Sequence, residues 1–457
     1  MSLEFDRKIH EALSNQKLQL KIYANTGRMK EGREASVAPD VLPDYQELRS
    51  QANALKRHAI DHLDHYLEEF ERNAEARGGK VFWAKDATEV ADFILSLARE
   101  REARLIVKSK SMTTEELDLN ERLEHHGLEA VETDLGEYIM QLAGERPFHI
   151  VGPALHKDRY DVADIFEKHL GIGRETVIEN QAAIARARLR AKFLAADLGI
   201  SGANFLVADS GAVVLVENEG NARLTTTAPR IHVAVAGIEK VIPRAQDLAV
   251  FLKLLARSAT GQALSVYTSF LSGPRRRGEI DGPEEFYVVL VDNGRTRLLP
   301  DRGKRQSLYC IRCGACLNTC PVYRRIGGHS FPWVYAGPIG AILTPQFLGT
   351  AHEPALPFAS SLCGACAEVC PVKIDIPKVL LELRHEVRRS EAREKRGGAA
   401  VRLERLAFRV FAWLATHPRA YRLAAPLGVA LLPARLRERF GIDEPPARSF
   451  RQLWSRR

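Results

Sequence analysis

Apolar residues recur at helical spacing over residues 48–73, where Leu55, Ile60, Leu63, Tyr66, Leu67 and Phe70 share one face, so the spacing predicts a helix there. Gly78 and Gly79 end it, and the first 75 residues read as largely helical. Beyond them short apolar runs alternate with helical patterns. Strands are expected at 81–84, 105–107 and 148–151, and helices at about 88–101, 115–126, 161–170 and 180–198. This alternation predicts an α/β domain with a largely parallel, open sheet. From residue 203 the runs shorten. Residues 205–208, 212–216 and 223–226 read as a meander, with turns at 209–211 and 217–221. Apolar strands at 231–235 and 286–291 follow, and the domain closes near Leu299.

Residues 300–305 (PDRGKR) form a linker into a cysteine-bearing segment, and 379–393 has the character of a charged helix. Gly397-Gly398 breaks that helix, and 402–415 is amphipathic, with arginines among Leu, Phe and Trp. The expected organisation is a helical segment over 1–65, an α/β domain over 66–300, a cysteine domain over 301–387 and a basic helical C-terminal region over 388–457.

Charge and composition change this picture in one respect. The 457 residues carry a net charge of +8, with 45% hydrophobic and 27% charged residues, an ordinary globular balance. Residues 388–457 hold 17 Lys+Arg against 6 Asp+Glu, a net of +11, so the body of the chain is slightly acidic and the tail basic. The apolar stretch 423–434 has twelve residues and two prolines, whereas a membrane span needs about 20. No targeting segment is expected at the N-terminus, which is charged from its fourth residue, so the expected location is the cytoplasm, with peripheral membrane contact through the tail.

Seven cysteines lie between positions 310 and 370 and none elsewhere. An odd number packed into one short segment points to metal chemistry in a reducing compartment rather than to disulfides. Cys310-x2-Cys313-x2-Cys316-x3-Cys320-Pro321 is the bacterial ferredoxin run, in which three thiolates reach one cluster and the fourth reaches another. Cys363-x2-Cys366-x3-Cys370-Pro371 repeats it without a first cysteine, and Ser360 stands at the missing place. The spacing therefore assigns Cys310, Cys313, Cys316 and Cys370 to cluster one, and Cys320, Cys363 and Cys366 to cluster two. The fourth iron of cluster two is left to Ser360, an exogenous ligand or a partner, or it is absent. Zinc is the competing reading, since two Cys-x2-Cys pairs build a four-thiolate site. The third cysteine at x2 and the repeated x3-Cys-Pro ending favour iron–sulfur.

With these motifs in hand, residues 310–345 (CIRCGACLNTCPVYRRIGGHSFPWVYAGPIGAILTP) and 360–377 (SSLCGACAEVCPVKIDIP) closely resemble the lactate utilisation protein B family of iron–sulfur proteins. KSKSM at 108–112, ETDLGE at 132–137 and ENEGN at 217–221 resemble its lactate-utilisation domain. The resemblance implies two [4Fe–4S] clusters on the seven cysteines, and lactate utilisation A and C proteins as partners in oxidising L-lactate to pyruvate. It also implies an α/β domain similar to sugar-phosphate isomerases and CoA transferases, without transferring their activity.

Outside the cysteines, Lys108, Ser109 and Lys110 follow a strand end, where open α/β sheets bind ligands, and form a candidate anion site. Glu132, Asp134 and Glu137 offer an acid or base, or simply a charged helix start. Glu217, Glu219 and Asn221 read as a hairpin turn. His329 reads as a backbone-bonded residue of a Gly-rich loop rather than a ligand. The chain lacks a G-x-G-x-x-G run for a nicotinamide or flavin. The leading expectation is an electron-transfer subunit. The alternatives are an α/β enzyme acting on a small carboxylate or phosphate ester, and nucleic-acid binding through the tail, which no nucleic-acid fold motif accompanies.

Overall fold

The structure is a computed structural model that describes residues 3–393 and 399–422, together with 424, 433 and 454. Contacts divide the chain into two compact units, the second beginning at Arg388.

The first unit is built on ten strands: β1 (Lys80–Ala84), β2 (Leu105–Lys108), β3 (Glu129–Glu132), β4 (Leu198–Ser201), β5 (Phe205–Val207), β6 (Ala212–Glu217), β7 (Ile231–Gly237), β8 (Val241–Ile242), β9 (Tyr267–Leu271) and β10 (Glu285–Val291). Six of them form a wholly parallel sheet in the order β1-β10-β7-β4-β2-β3. All seven residues of β7 are buried, as expected of a parallel strand covered on both faces. The chain runs from β2 outward to β3, returns to β4 on the other side of β2, and continues to β7. The carboxyl ends of β2 and β4 thus flank the point where the connections diverge. A second sheet, β8-β5-β6-β9, pairs β5 with β6 and β6 with β9 antiparallel.

Four of the sequence expectations need correction. The single helix over 48–73 is two, Tyr45–Asp61 and Leu63–Ala76, parted at His62. The helix over 115–126 is broken by Asp118, whose φ of 47° is left-handed, into Met112–Glu116 and Leu119–His125. Residues 148–151 form bends rather than a strand. The Phe148 N–H bonds the Pro153 carbonyl and the Tyr323 hydroxyl bonds the Phe148 carbonyl, which takes that backbone out of any ladder. Residues 223–226 belong to the helix Asn221–Thr227. Gly220, at φ 79°, turns the chain, and the Glu217 carboxylate accepts the N–H groups of Ala222 and Arg223, so a β-rich LTTT sequence is nucleated as helix.

The N-terminal helices are the mortar of this unit. The helix Gln16–Ser36 packs on the helix Leu248–Thr260 of the α/β domain and on the short helices Ala315–Thr319 and Tyr323–Ile326 that follow the first cysteines. One apolar core runs from Ile22, Phe70 and Phe251 to Leu317, Tyr323 and Val372 and joins the N-terminal helices, the α/β domain and the cysteine segment, while two further clusters lie within the α/β domain.

In the second unit the helix Ala399–Thr416 leaves Phe408, Phe411 and Trp413 exposed. The expected Gly397-Gly398 break and nearly all of the 423–434 stretch lie outside the described residues. Among those described, no helix is long and apolar enough to cross a membrane.

Candidate iron–sulfur site

The two cysteine loops have the same backbone. Arg312 and Leu362, each preceding a cysteine, take left-handed φ values of 61° and 55°. Gly314 and Gly364, each following it, do so at 76° and 86° and open the five-residue helices Ala315–Thr319 and Ala365–Val369. The glycines are needed because a Cβ disfavours this region. Each helix ends at a cysteine with extended backbone, Cys320 or Cys370, followed by proline.

The two short helices pack on each other and bring the thiols together across the motifs. Cys313 feels the charge of Cys310 and Cys370, and Cys316 feels all three. Cys320 interacts with Cys363, and Cys366 with both. Across the two sets, Cys316 also feels the charge of Cys366. Burial raises the thiol pKa of Cys313, Cys316 and Cys320, of Cys366 to about 12 and of Cys370 to about 11. Thiols this buried do not ionise unaided. A cationic metal centre supplies the missing compensation, and binding releases protons. Three backbone N–H groups already point at sulfur: Arg312 at Cys310 (3.4 Å), Tyr323 at Cys320 (3.5 Å) and Ile374 at Cys370 (3.3 Å). Such N–H···S bonds tune iron–sulfur centres. The donor set therefore fits clusters held by crossed motifs. Ser360 is turned inward on its own loop, its Oγ accepting the Leu362 N–H at 3.2 Å.

Several residues that the sequence did not single out hold these loops. Arg312 is buried beneath the first loop, over the Tyr335 ring at 4.8 Å and 3.2 Å from Glu239. Glu239 also pairs with Arg295, which bonds both oxygens of Glu116 at 2.7 and 2.9 Å. The Tyr335 hydroxyl completes the network on Glu116 at 2.7 Å. Burial pushes the Glu239 carboxyl up, but Arg295 and Arg312 outweigh it and hold it at about 2. At the second loop, Arg49 donates to the carbonyls of Cys370 (2.9 Å), Ala367 (3.2 Å) and Glu368 (2.6 Å), capping the last turn of Ala365–Val369. Asn53 donates to the Val372 carbonyl at 2.8 Å. The one sequence signal was Arg312 itself, a charge between two ligand cysteines.

The candidate anion triplet is split. Lys108 is fully buried and pairs with Glu115 (2.9 Å) and Glu132 (2.7 Å), so its charge is spent inside the protein. Burial works against that charge, yet the glutamates outweigh it and raise the Lys108 pKa. Lys108 is thus corrected from anion ligand to structural counter-ion, while Ser109 and Lys110 line a cavity without it. Glu137 is buried beside Glu132 with both carboxyl oxygens unpartnered, and burial with the neighbouring Glu132 raises its pKa well above the carboxylate range. Asp134 caps the helix Leu135–Ala143 through the Glu137 N–H. Glu217 caps the helix that replaces the expected hairpin. His329 bonds the Arg146 carbonyl at 2.7 Å.

A LUD domain matches residues 67–291, and a 4Fe-4S dicluster domain matches residues 306–374. These matches and the geometry together define a class: an iron–sulfur protein in which a LUD α/β domain carries a ferredoxin-like cysteine domain. The "Lactate utilization protein B" of Bacillus velezensis is 43% identical over 422 residues, covering 92% of this chain and 87% of that protein. That of Geobacillus thermodenitrificans is 46% identical over 387 residues, covering 84% and 80%. The chain belongs to the lactate utilization protein B family. The crystal structure of a DUF162 family protein from Deinococcus radiodurans aligns at 13% identity with a TM-score of 0.29, covering 50% of this chain and 98% of that one.

Proposed function

We propose that the chain is the iron–sulfur electron-transfer subunit of a multi-protein system oxidising L-lactate to pyruvate, with lactate utilisation A and C proteins as its partners in the cytoplasm. The observation that carries this reading is the sorting of seven thiols into two sets across two ferredoxin-type loops. In it Cys310, Cys313, Cys316 and Cys370 hold one [4Fe–4S] cluster, and Cys320, Cys363 and Cys366 a second. Such clusters, when bound, supply one-electron redox chemistry.

The chain's own residues do four things toward it. They present cysteines at fixed positions between left-handed neighbours, Arg312 and Gly314 in one loop and Leu362 and Gly364 in the other. They aim backbone N–H groups at three of the sulfurs. They exclude water from the first set with Ile311, Leu317, Val372 and Ile374, all buried. They leave Cys363 exposed, where a partner protein reaches the second set.

The test is electron paramagnetic resonance on the anaerobically purified full chain, before and after adding L-lactate with the A and C proteins, alongside iron and acid-labile sulfide content. Reduction that requires both lactate and partners supports the proposal. Zinc in place of iron, or clusters that lactate never reduces, overturns it. Cys320→Ser supplies a sharper arm, because it should damage the second cluster although it lies in the first motif. Loss of the first cluster's signal alone would refute the crossed assignment.

A further inference from the structure

A cavity of about 260 Å³ lies where the carboxyl ends of β2 and β4 meet the first cysteine loop. Ser109 and Lys110 enter it after β2, Gly202 and Asn204 after β4, Lys240 after β7, and Arg312 and Cys313 from the cysteine loop. This is where open α/β sheets bind ligands, at the point where connections diverge. Its volume is below the usual range for drug-sized or dinucleotide ligands and suits a molecule of a few non-hydrogen atoms.

Three polar groups in this wall are unspent. Ser109 is 2% exposed and its hydroxyl has no partner. Lys240 is 7% exposed, and its ammonium has no hydrogen bond or ion pair among the described residues. Lys110 bonds only a backbone carbonyl, that of Ile150. The other charges there are already engaged: Arg312 with Glu239, and Asp134 and Glu217 with helix N–H groups. Burial and the nearby Arg312 work against the Lys240 charge more than Glu239 and Cys310 support it, and a bound anion in direct contact would offset that cost. The Glu219 carboxyl stands on the far wall, where it accepts the Leu135 N–H at 3.2 Å and has its pKa pushed up to about 7 by lost hydration and by Asp134. At that pH range it offers a hydrogen-bonding group to a hydroxyl or oxo substituent.

We propose that this cavity binds a small 2-hydroxy- or 2-oxocarboxylate, with Lys240 as counter-charge, Ser109 as hydrogen-bond donor and the cluster ligand Cys313 in its wall. The choice of a carboxylate of this class rests on the lactate reading above; the anion site rests on the cavity. It assigns to this chain, rather than to a partner, a site for the molecule oxidised or produced.

The test is isothermal titration of the cluster-loaded full chain, without partners, with L-lactate, pyruvate and inorganic phosphate, paired with electron paramagnetic resonance of the dithionite-reduced protein in the same additions. Expected are saturable binding of lactate or pyruvate and a ligand-dependent change in the signal of one cluster, the one that Cys313 helps to hold. Lys240→Met should weaken binding by about thirtyfold or more. Ala259→Leu, which fills the cavity without touching charge, should block both binding and the spectral change. Iron content and thermal midpoint report whether each variant is folded, and the second variant stands in if the first is not. Absence of carboxylate binding, undiminished binding in both variants, or binding of phosphate alone would overturn the proposal. If lactate plus partners still reduces the clusters while the isolated chain binds no carboxylate, the cavity assignment fails and the electron-transfer reading stands. If the chain binds carboxylate but is never reduced, the reverse holds.

Discussion

The two cysteine loops share the sequence Cys-Gly-Ala-Cys, the same left-handed residues and the same Cys-Pro ending, yet they sit in opposite surroundings. Around the first loop, Cys313 is buried, and Arg312 is locked into a network of five side chains whose charges almost cancel. The second loop exposes Cys363 and is gripped from behind, through its backbone carbonyls, by Arg49 of an N-terminal helix. The same ligand motif thus meets a charge-compensated, buried surrounding at Cys313 and solvent at its counterpart Cys363. Since hydrogen bonding, net charge and exposure set cluster potentials, the surroundings rather than the motif separate the two.

The sharpest way to break this asymmetry is Glu239→Gln. It leaves the buried Arg312 without its carboxylate, and the cost expected for breaking a buried pair is about 3–5 kcal/mol, read by chemical denaturation, with loss of iron from the first set. The exposed Glu368 of the second loop serves as control, and its Gln variant should shift stability by no more than about 0.5 kcal/mol.

Next in size is Arg49→Ala, which removes charge-assisted bonds to three carbonyls. We expect a loss of about 1.5–3 kcal/mol and faster loss of iron to a chelator.

A third prediction concerns acid. His149 lies between the α/β domain and the first loop, its Nε2 3.1 Å from Asn318 Oδ1 and its Nδ1 accepting the N–H groups of Val151 and Gly152. Burial, with Lys110 nearby, pushes its pKa down to about 3 against the bonding to Asn318. A depressed histidine is neutral when folded and charged when unfolded between pH 3 and the ordinary 6.5. The unfolded state binds more protons there, so stability is full above pH 6.5 and falls by about 1.4 kcal/mol per pH unit below it. Urea midpoints at pH 7 and pH 5 measure this, and His149→Gln should flatten the difference.

A small effect is expected at Leu362→Gly. Relief of a left-handed conformation, about 1–2 kcal/mol, is offset by glycine's unfolded-state entropy and a lost apolar contact, leaving a change within about 1 kcal/mol. Arg312→Gly, at the same backbone conformation, should cost several-fold more because Glu239 loses a partner. Equal effects at the two positions would mean that the loops are not set apart by their surroundings.

Much of this molecule was legible from periodicity. The strands expected at 81–84, 105–107, 231–235 and 286–291 lie within two residues of the observed ones at both ends, because buried parallel strands are continuous apolar runs. Short strands such as β3, Glu129–Glu132, escaped because Glu-Ala-Val-Glu carries too little apolar signal. The helix Asn221–Thr227 is not legible in the sequence because its start depends on a carboxylate cap from the preceding strand, not on its own threonines. Of the candidate site residues, Lys108 misled for a related reason: its partners Glu115 and Glu132 come from other elements, and a lysine's neutralisation cannot be seen along the chain.

By itself the sequence determined what is local: seven thiols at ferredoxin spacing, glycines where the loop must turn left-handed, and an alternation of apolar runs that an open parallel sheet requires. These follow from bond geometry and side-chain period, which need no distant partner. Tertiary structure alone decided which charges are spent and which are free. Lys108 ends β2 and Lys240 follows β7; both are buried, yet one meets two carboxylates and the other lines a cavity. The desolvation that makes this distinction matter arises only when residues far apart in sequence exclude water together.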